Sequence, residues 1–168
     1  MMAALLGSML GDRLGDHAVQ TRSSGFGPAG LPAIDDAVHA MRRRGLDVSA
    51  HRSAATTVSL VDGADLILTA ERDHVVKIAT LSPGAFRRAM TLPEFLDLAA
   101  ADRDDVGLDI RSWVESLTAR RTAGRYLREP IPEVADPTGS IPRAFESAVV
   151  ALEQQCREAT DLLAARHS

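Results

Sequence analysis

Apolar side chains recur three and four residues apart from the second position onward: Met2, Leu5, Leu6, Met9 and Leu10 mark one face of a helix, so the chain is expected to open on an amphipathic helix. "HAVQTRSSGF", residues 17–26, then reads as a short strand with Val19 and Thr21 on one face, closed by the turn-rich "GFGPAGLP". Ile34, Ala37, Val38 and Met41 predict a second helix that starts near Pro32 and stops at Gly45. "ADLILTA", residues 64–70, is too short for a helix and too uniformly apolar for a half-exposed strand. It predicts a buried strand covered by helices on both faces.

Further along, residues 71–81 predict a helix, and Ser82-Pro83 a cap with proline in the first helical position, running through Phe86. A brief strand at 89–92 leads into a helix from Pro93, and the acidic "AADRDDVG" predicts a loop. Ile110, Trp113, Val114 and Leu117 stripe another helix, which Gly124 is expected to end. "REPIPEVADPTGSIP", residues 128–142, holds four prolines, which remove donors and fix φ, so regular structure is excluded there. Ser140 is then expected to cap a last helix whose buried face carries Phe145, Val149, Leu152, Cys156, Ala159 and Leu163. No fixed period repeats. Strands alternating with helices predict an α/β domain with three layers, helices on both faces of a short parallel sheet.

Composition narrows the picture. At 168 residues and 45% hydrophobic content, the chain suits one domain, residues 1–168, with a single core. The net charge of −4 and the scattered basic residues argue against nucleic acid as a partner, as does an aromatic content of 4%, too low for stacking bases. The one dense run, Arg42-Arg43-Arg44, reads as charge favouring a helix C-terminus. No apolar run approaches the roughly 18–20 residues that span a bilayer. "MMAALLGSML" has neither a basic leader nor a cleavage site, so no signal peptide is read and a cytoplasmic location is expected. Cys156 is the single cysteine, which excludes an internal disulfide and any cysteine-cluster metal site.

Several segments carry candidate chemistry. "GFGPAG", Gly25–Gly30, matches a dinucleotide-binding pattern in letters, but Pro28 stands where phosphate-facing N–H groups are needed and the next strand comes too late, so it reads as a loop. Cys156 lies on the apolar face of a helix, away from any helix N-terminus, and reads as core. His17, His39, His51, His74 and His167 have no metal-ligand spacing. The loop with Asp102, Asp104 and Asp105 lacks the alternation and glycine of a calcium loop. No cofactor or metal is implied. Asp136 differs: proline stiffens its loop, which suits a proton donor that must meet a leaving oxygen within hydrogen-bond range, although Asp-Pro-x-Gly turns are also common as plain structure.

Four blocks, in order, resemble low-molecular-weight protein-tyrosine phosphatases. "TRSSGFG" resembles the segment that ends their second strand, and "AVHAMRRRGLDVSAHRS" the helix that follows, with its Arg-Gly-Ile-Asp-x-Ser-x-His-Arg ending. "GADLILTAERDHVVKI" is similar to their Asp-Leu-Ile-Leu-x-Met strand and next helix, and "EVADPTGS" to their Asp-Pro loop before the final helix. The resemblance implies phosphomonoester hydrolysis through a cysteinyl-phosphate. A Cys-x5-Arg loop grips the phosphoryl oxygens and lowers the thiol pKa, and the Asp of the Asp-Pro loop protonates the departing phenolate. It implies Asp136 as that acid, Thr138 in the substrate cleft where many members place an aromatic wall, and His51 as support for the phosphate loop.

The same resemblance places "MMAALLGSML" directly after the cysteine loop, so the first, central strand and the nucleophile loop are missing from this chain. Inactivity of residues 1–168 is the resulting expectation, with Met1 an internal methionine of a longer product. Loss of a central strand would leave sheet edges whose unmet buried groups cost about 1–3 kcal/mol each, against a stability of about 5–15 kcal/mol. Such edges invite self-association. The leading expectation is a truncated phosphatase-like protein whose full form takes a phosphorylated protein or a small phosphomonoester. One alternative is a non-catalytic regulatory or binding protein, a pseudoenzyme on the same fold. Arsenate reduction is weaker, because it needs redox cysteines beyond Cys156.

Overall fold

A computed structural model describes residues 1–15, 18–102, 107 and 109–166. In chain order the elements are α1 (Met2–Leu14), α2 (Asp35–Arg42), α3 (Val58–Gly63), β1 (Ile67–Thr69), α4 (Arg72–Leu81), a 3₁₀ turn (Pro83–Arg87), β2 (Ala89–Thr91), α5 (Leu92–Ala101), α6 (Ile110–Leu117), α7 (Ala123–Arg128) and α8 (Pro142–Ala165). The class is α/β with a short parallel sheet, as the alternation predicts. The chain divides into two units, Met1–Thr56 with Asp136–Ser168, and Thr57–Ala135.

The first unit is built on α1 against α8. Leu5, Leu6 and Leu10 of α1 are buried, and so are all six expected stripe residues of α8, from Phe145 to Leu163. Removing such side chains from water contributes about 1.5–3 kcal/mol each for the larger ones, which is why the three-and-four spacing decides these two helices. Ala37, Ala40 and Met41 are the buried face of α2. Gly45, at φ 75°, lets the chain turn back so that the Leu46 N–H reaches Met41 O at 3.0 Å. The arginine run does more than favour a helix end. Arg44 donates to Glu146 at 2.8 Å and Glu153 at 2.7 Å, and Arg43 also donates to Glu146, joining α2 to α8.

In the second unit β1 and β2 pair in parallel, Ile67 with Ala89, Leu68 with Met90 and Thr69 with Thr91, with α4 as the crossover. Val61, Val75, Ile78, Ala85, Ala89 and Tyr126 form the core here. Thr91 caps α5 in a reciprocal box with Glu94, the arrangement that Thr-Leu-Pro-Glu encodes. Trp113 of α6 meets Phe95 edge to face at 6.0 Å and donates its indole N–H to Asp102 at 2.9 Å. Asp102 is thus a structural acceptor at the end of α5, while Asp104 and Asp105 lie outside the described residues.

Several local expectations are corrected. Residues 18–24 form no strand, and Gly25 makes only a single parallel bridge to Ala55. Thr21 through Ser24 are exposed, so no buried face rewards pairing. The strand expected over 64–70 contracts to three residues, and only Thr69 of it is fully buried. Ser82 makes no side-chain cap; its hydroxyl bonds Asp62 at 2.6 Å, and the segment after it is 3₁₀. Gly124 does not end α6, which stops at Leu117, but sits inside α7. Ser140 does not cap α8; its hydroxyl turns back to Pro137 O at 2.7 Å, and Ile141 takes the cap position.

Candidate active site

The residues proposed from sequence, Asp136, Thr138 and His51, all fall in the first unit. Pro137 fixes φ immediately after Asp136, and the carboxylate then folds onto its own loop: Oδ1 accepts the Thr138 N–H at 2.9 Å, an Asx turn. Ser140 closes the other side, its N–H donating to Pro137 O at 3.1 Å, and Gly139 takes the left-handed φ of 75° that this tight turn requires. Asp136 and Thr138 are exposed. The Thr138 amide, and secondarily its hydroxyl, hold the Asp136 carboxyl below the usual aspartate range. At neutral pH the group is therefore an anion, the wrong form for a proton donor until something raises its pKa.

His51 is exposed and follows the turn at residues 49–50, where its N–H donates to Val48 O at 3.1 Å. Among the described residues no hydrogen bond links it to Asp136 or Thr138. The Gly25–Gly30 segment is a stapled loop. The Gly25 N–H donates to Ala54 O at 2.9 Å and the Gly30 N–H to Ser53 O at 2.8 Å, so the two outer glycines are tied to the 53–54 segment. The Ser53 hydroxyl adds a bond to Pro28 O at 2.8 Å. No helix opens directly from Gly30, since α2 begins at Asp35, which agrees with the loop reading.

Cys156 is fully buried, and burial pushes its thiol up to about 12. A thiol in that state is not a nucleophile at neutral pH. Among the described residues no group of three or more His, Cys, Asp or Glu could hold a metal ion, and no helix is long and apolar enough to cross a membrane.

Sequence reasoning missed a polar cluster in the second unit. Arg121 donates to Glu94 at 3.2 Å and to Ala89 O at 2.8 Å, with its guanidinium 4.2 Å from the Phe86 ring centroid and 4.9 Å from that of Tyr126. The Tyr126 hydroxyl also faces Glu94, at 3.4 Å. Burial lowers the Arg121 pKa and raises that of Tyr126. The cluster walls a cleft of about 210 Å³ that Leu98, Leu117 and Ile131 complete. Only Thr91-x-x-Glu94 signals it in the sequence, and the partners come from other elements.

These features define an α/β protein with a hydrogen-bonded Asp-Pro turn leading into its last helix and no reactive thiol within residues 1–168. The fold is shared with phosphatases of known structure. A YwlE mutant from Bacillus subtilis superposes with a TM-score of 0.70 at 22% identity, covering 96% of this chain and 87% of that one. The tyrosine phosphatase Wzb from Escherichia coli K30, solved with sulphate, gives 0.64 at 21% identity, covering 96% and 89%. At such identities the likeness establishes the fold. The sequence model of the low molecular weight phosphotyrosine protein phosphatases matches residues 1–109, and the chain belongs to that family. A probable low molecular weight protein-tyrosine-phosphatase, EpsP of Ralstonia nicotianae, is 35% identical over 85 residues, which are 50% of this chain and 59% of that protein. The alignment thus spans less than two thirds of that relative. His51 lies inside the residues that the family model matches; Asp136 and Thr138 lie beyond them.

Proposed function

We propose that this chain supplies the leaving-group half of a cysteine-dependent phosphomonoesterase, acting on a phosphorylated protein or small phosphomonoester in the cytoplasm. In this reading Asp136 is the general acid, and residues 1–168 alone do not turn substrate over. The observation that carries it is the contrast between the two groups: Asp136 stands exposed on a proline-stiffened turn, while the only thiol, Cys156, is buried and protonated. A lone acid can deliver a proton but cannot attack phosphorus.

The reaction balances as follows. A thiolate from outside residues 1–168 forms the S–P bond as the P–O bond to the leaving group breaks, and the Asp136 O–H gives its proton to the departing oxygen. Water then cleaves the phosphocysteine, with the Asp136 carboxylate taking a proton from it. A phosphoryl dianion beside Asp136 opposes the effect of the Thr138 amide, because like charge raises a carboxyl pKa. The acid is thus more readily protonated when substrate is bound. His51 supports the loop that grips the phosphoryl oxygens, and Thr138 lines the leaving-group side of the cleft without an aromatic wall.

Hydrolysis of p-nitrophenyl phosphate at mildly acidic pH tests this, using residues 1–168 beside any longer product of the same reading frame, whose intact mass is measured from the native source. Turnover only by a longer product is the expected result; turnover by residues 1–168 overturns the proposal. The absence of a reactive thiol from the chain favours one second reading, a non-catalytic binding protein on the same fold. Silence of every product, with retained binding of a phosphorylated protein, would select it.

A further inference from the structure

The loop that carries Asp136 is held by main-chain atoms. Oδ1 of Asp136 accepts the Thr138 N–H at 2.9 Å, and Pro137 O accepts both the N–H and the hydroxyl of Ser140, at 3.1 and 2.7 Å. We propose that Thr138 is a positioning residue for Asp136: its main-chain amide reserves Oδ1 as an acceptor and leaves Oδ2 as the oxygen that carries the proton to the leaving group. The inference rests on Asp136 being the acid.

A carboxylic acid holds one proton on one of two oxygens. Protonating Oδ1 would make it a hydroxyl oxygen, a much poorer acceptor for the Thr138 N–H, whereas protonating Oδ2 leaves a carbonyl oxygen there. A bond from a backbone amide to an ionised carboxylate is charge-assisted and stronger than one to a neutral group, so it also sets how tightly the proton is held. No charged side chain among the described residues competes: the influences on Asp136 are the Thr138 amide, the Thr138 hydroxyl and slight burial. One residue therefore governs both which oxygen is protonated and when. The amide carries the larger share of this effect and the Thr138 hydroxyl the smaller, so the positioning bond survives a change of side chain at 138 but not proline, which has no N–H.

Nuclear magnetic resonance of residues 1–168 reads this directly. The Asp136 carboxyl carbon and the Thr138 amide proton are followed through an acid titration of the wild type and of three variants. The wild type is expected to show one shared midpoint, below that of an unperturbed aspartate. Asp136→Asn keeps an acceptor for the amide but has no proton to lose, so the Thr138 amide stops titrating. Thr138→Ala keeps the shared midpoint with a small rise, and Thr138→Pro returns Asp136 to the ordinary range. A Thr138 amide that ignores Asp136 in the wild type, or an equal rise in Thr138→Ala and Thr138→Pro, overturns the inference. In a turnover-competent product, Thr138→Pro should shift the pH–rate profile for poor leaving groups upward by more than Thr138→Ala does. If Asp136→Asn leaves that turnover unchanged while the wild type keeps the shared titration, the acid role is wrong and the amide coupling stands, so the two failures separate.

Discussion

Glu94→Gln isolates the charge in the buried cluster. The Glu94 and Arg121 side chains are 11% and 9% exposed, and Gln keeps the size and can still accept from the Thr91 N–H at the start of α5. What it removes is the negative charge facing a guanidinium that burial already disfavours. Taking one partner from a buried ion pair costs about 3–5 kcal/mol. Because the pair borders an open cleft, the low end, about 3 kcal/mol, is expected. With a urea slope of about 2 kcal/mol/M, the unfolding midpoint should fall by about 1.5 M. Arg121→Met should cost a similar amount, since Glu94 then keeps its capping role without a cation. The double variant should cost much less than the sum, a coupling of about 2 kcal/mol in a double-mutant cycle. A coupling under about 0.5 kcal/mol would mean that water screens the pair as it does a surface one, and the cluster would lose its structural role.

Cys156 should resist thiol reagents in the folded protein and react fully in denaturant; rapid native labelling would refute its burial. Its folded-state pKa of about 12 stands above the unfolded value of about 8.5. The proton is therefore bound more tightly in the folded state, and the associated stability, complete below about pH 8.5, should drain away as pH rises toward 12. Denaturant midpoints at pH 7, 9 and 10 check the sign, which Cys156→Ala should flatten. In a turnover-competent product, Asp136→Asn should slow phosphomonoesters of poor leaving groups far more than those of good ones; equal losses would remove its role as acid.

The helices that were legible are those whose burial follows one stripe. Six α8 side chains and five from α1 repeat at helical spacing, and the structure buries all six of the first and Leu5, Leu6 and Leu10 of the second, with Met2 and Met9 half-buried. Legibility fails where a residue's partner is distant. Ser82 and Ser140 look like helix caps from their neighbours alone, yet their hydroxyls are taken by Asp62 and by Pro137 O. "ADLILTA" looks like a long buried strand because its apolar run is continuous, but pairing with β2 stops at three residues. Val58–Gly63 carries no helical period in the sequence because six residues are too few to show one; Thr57 caps it, accepting the Leu60 N–H at 3.3 Å. The Glu94, Arg121 and Tyr126 cluster joins residues 27 and 32 positions apart, a separation that no local pattern encodes.

For Asp136 the sequence carries the residue and its stiff surroundings but not its charge state. Proline and glycine on either side predict a held carboxylate, and the Asx turn supplies the holding. That same bond favours the anion, so rigidity and acidity pull in opposite directions at one residue. A general acid built this way works only when a second negative charge arrives, and in the proposed reaction that charge is the phosphoryl group itself. In that proposal the acid is conditional: ionised in the free protein, more readily protonated in the complex, and without effect on a neutral ester that brings no dianion. The shared titration of Asp136 and Thr138 should therefore move upward when a phosphate analogue occupies a turnover-competent product, and stay fixed in residues 1–168. If the analogue binds the competent product and leaves that midpoint in place, substrate charge does not arm the acid, and the opposition between the Thr138 amide and the phosphoryl group is not how this loop works.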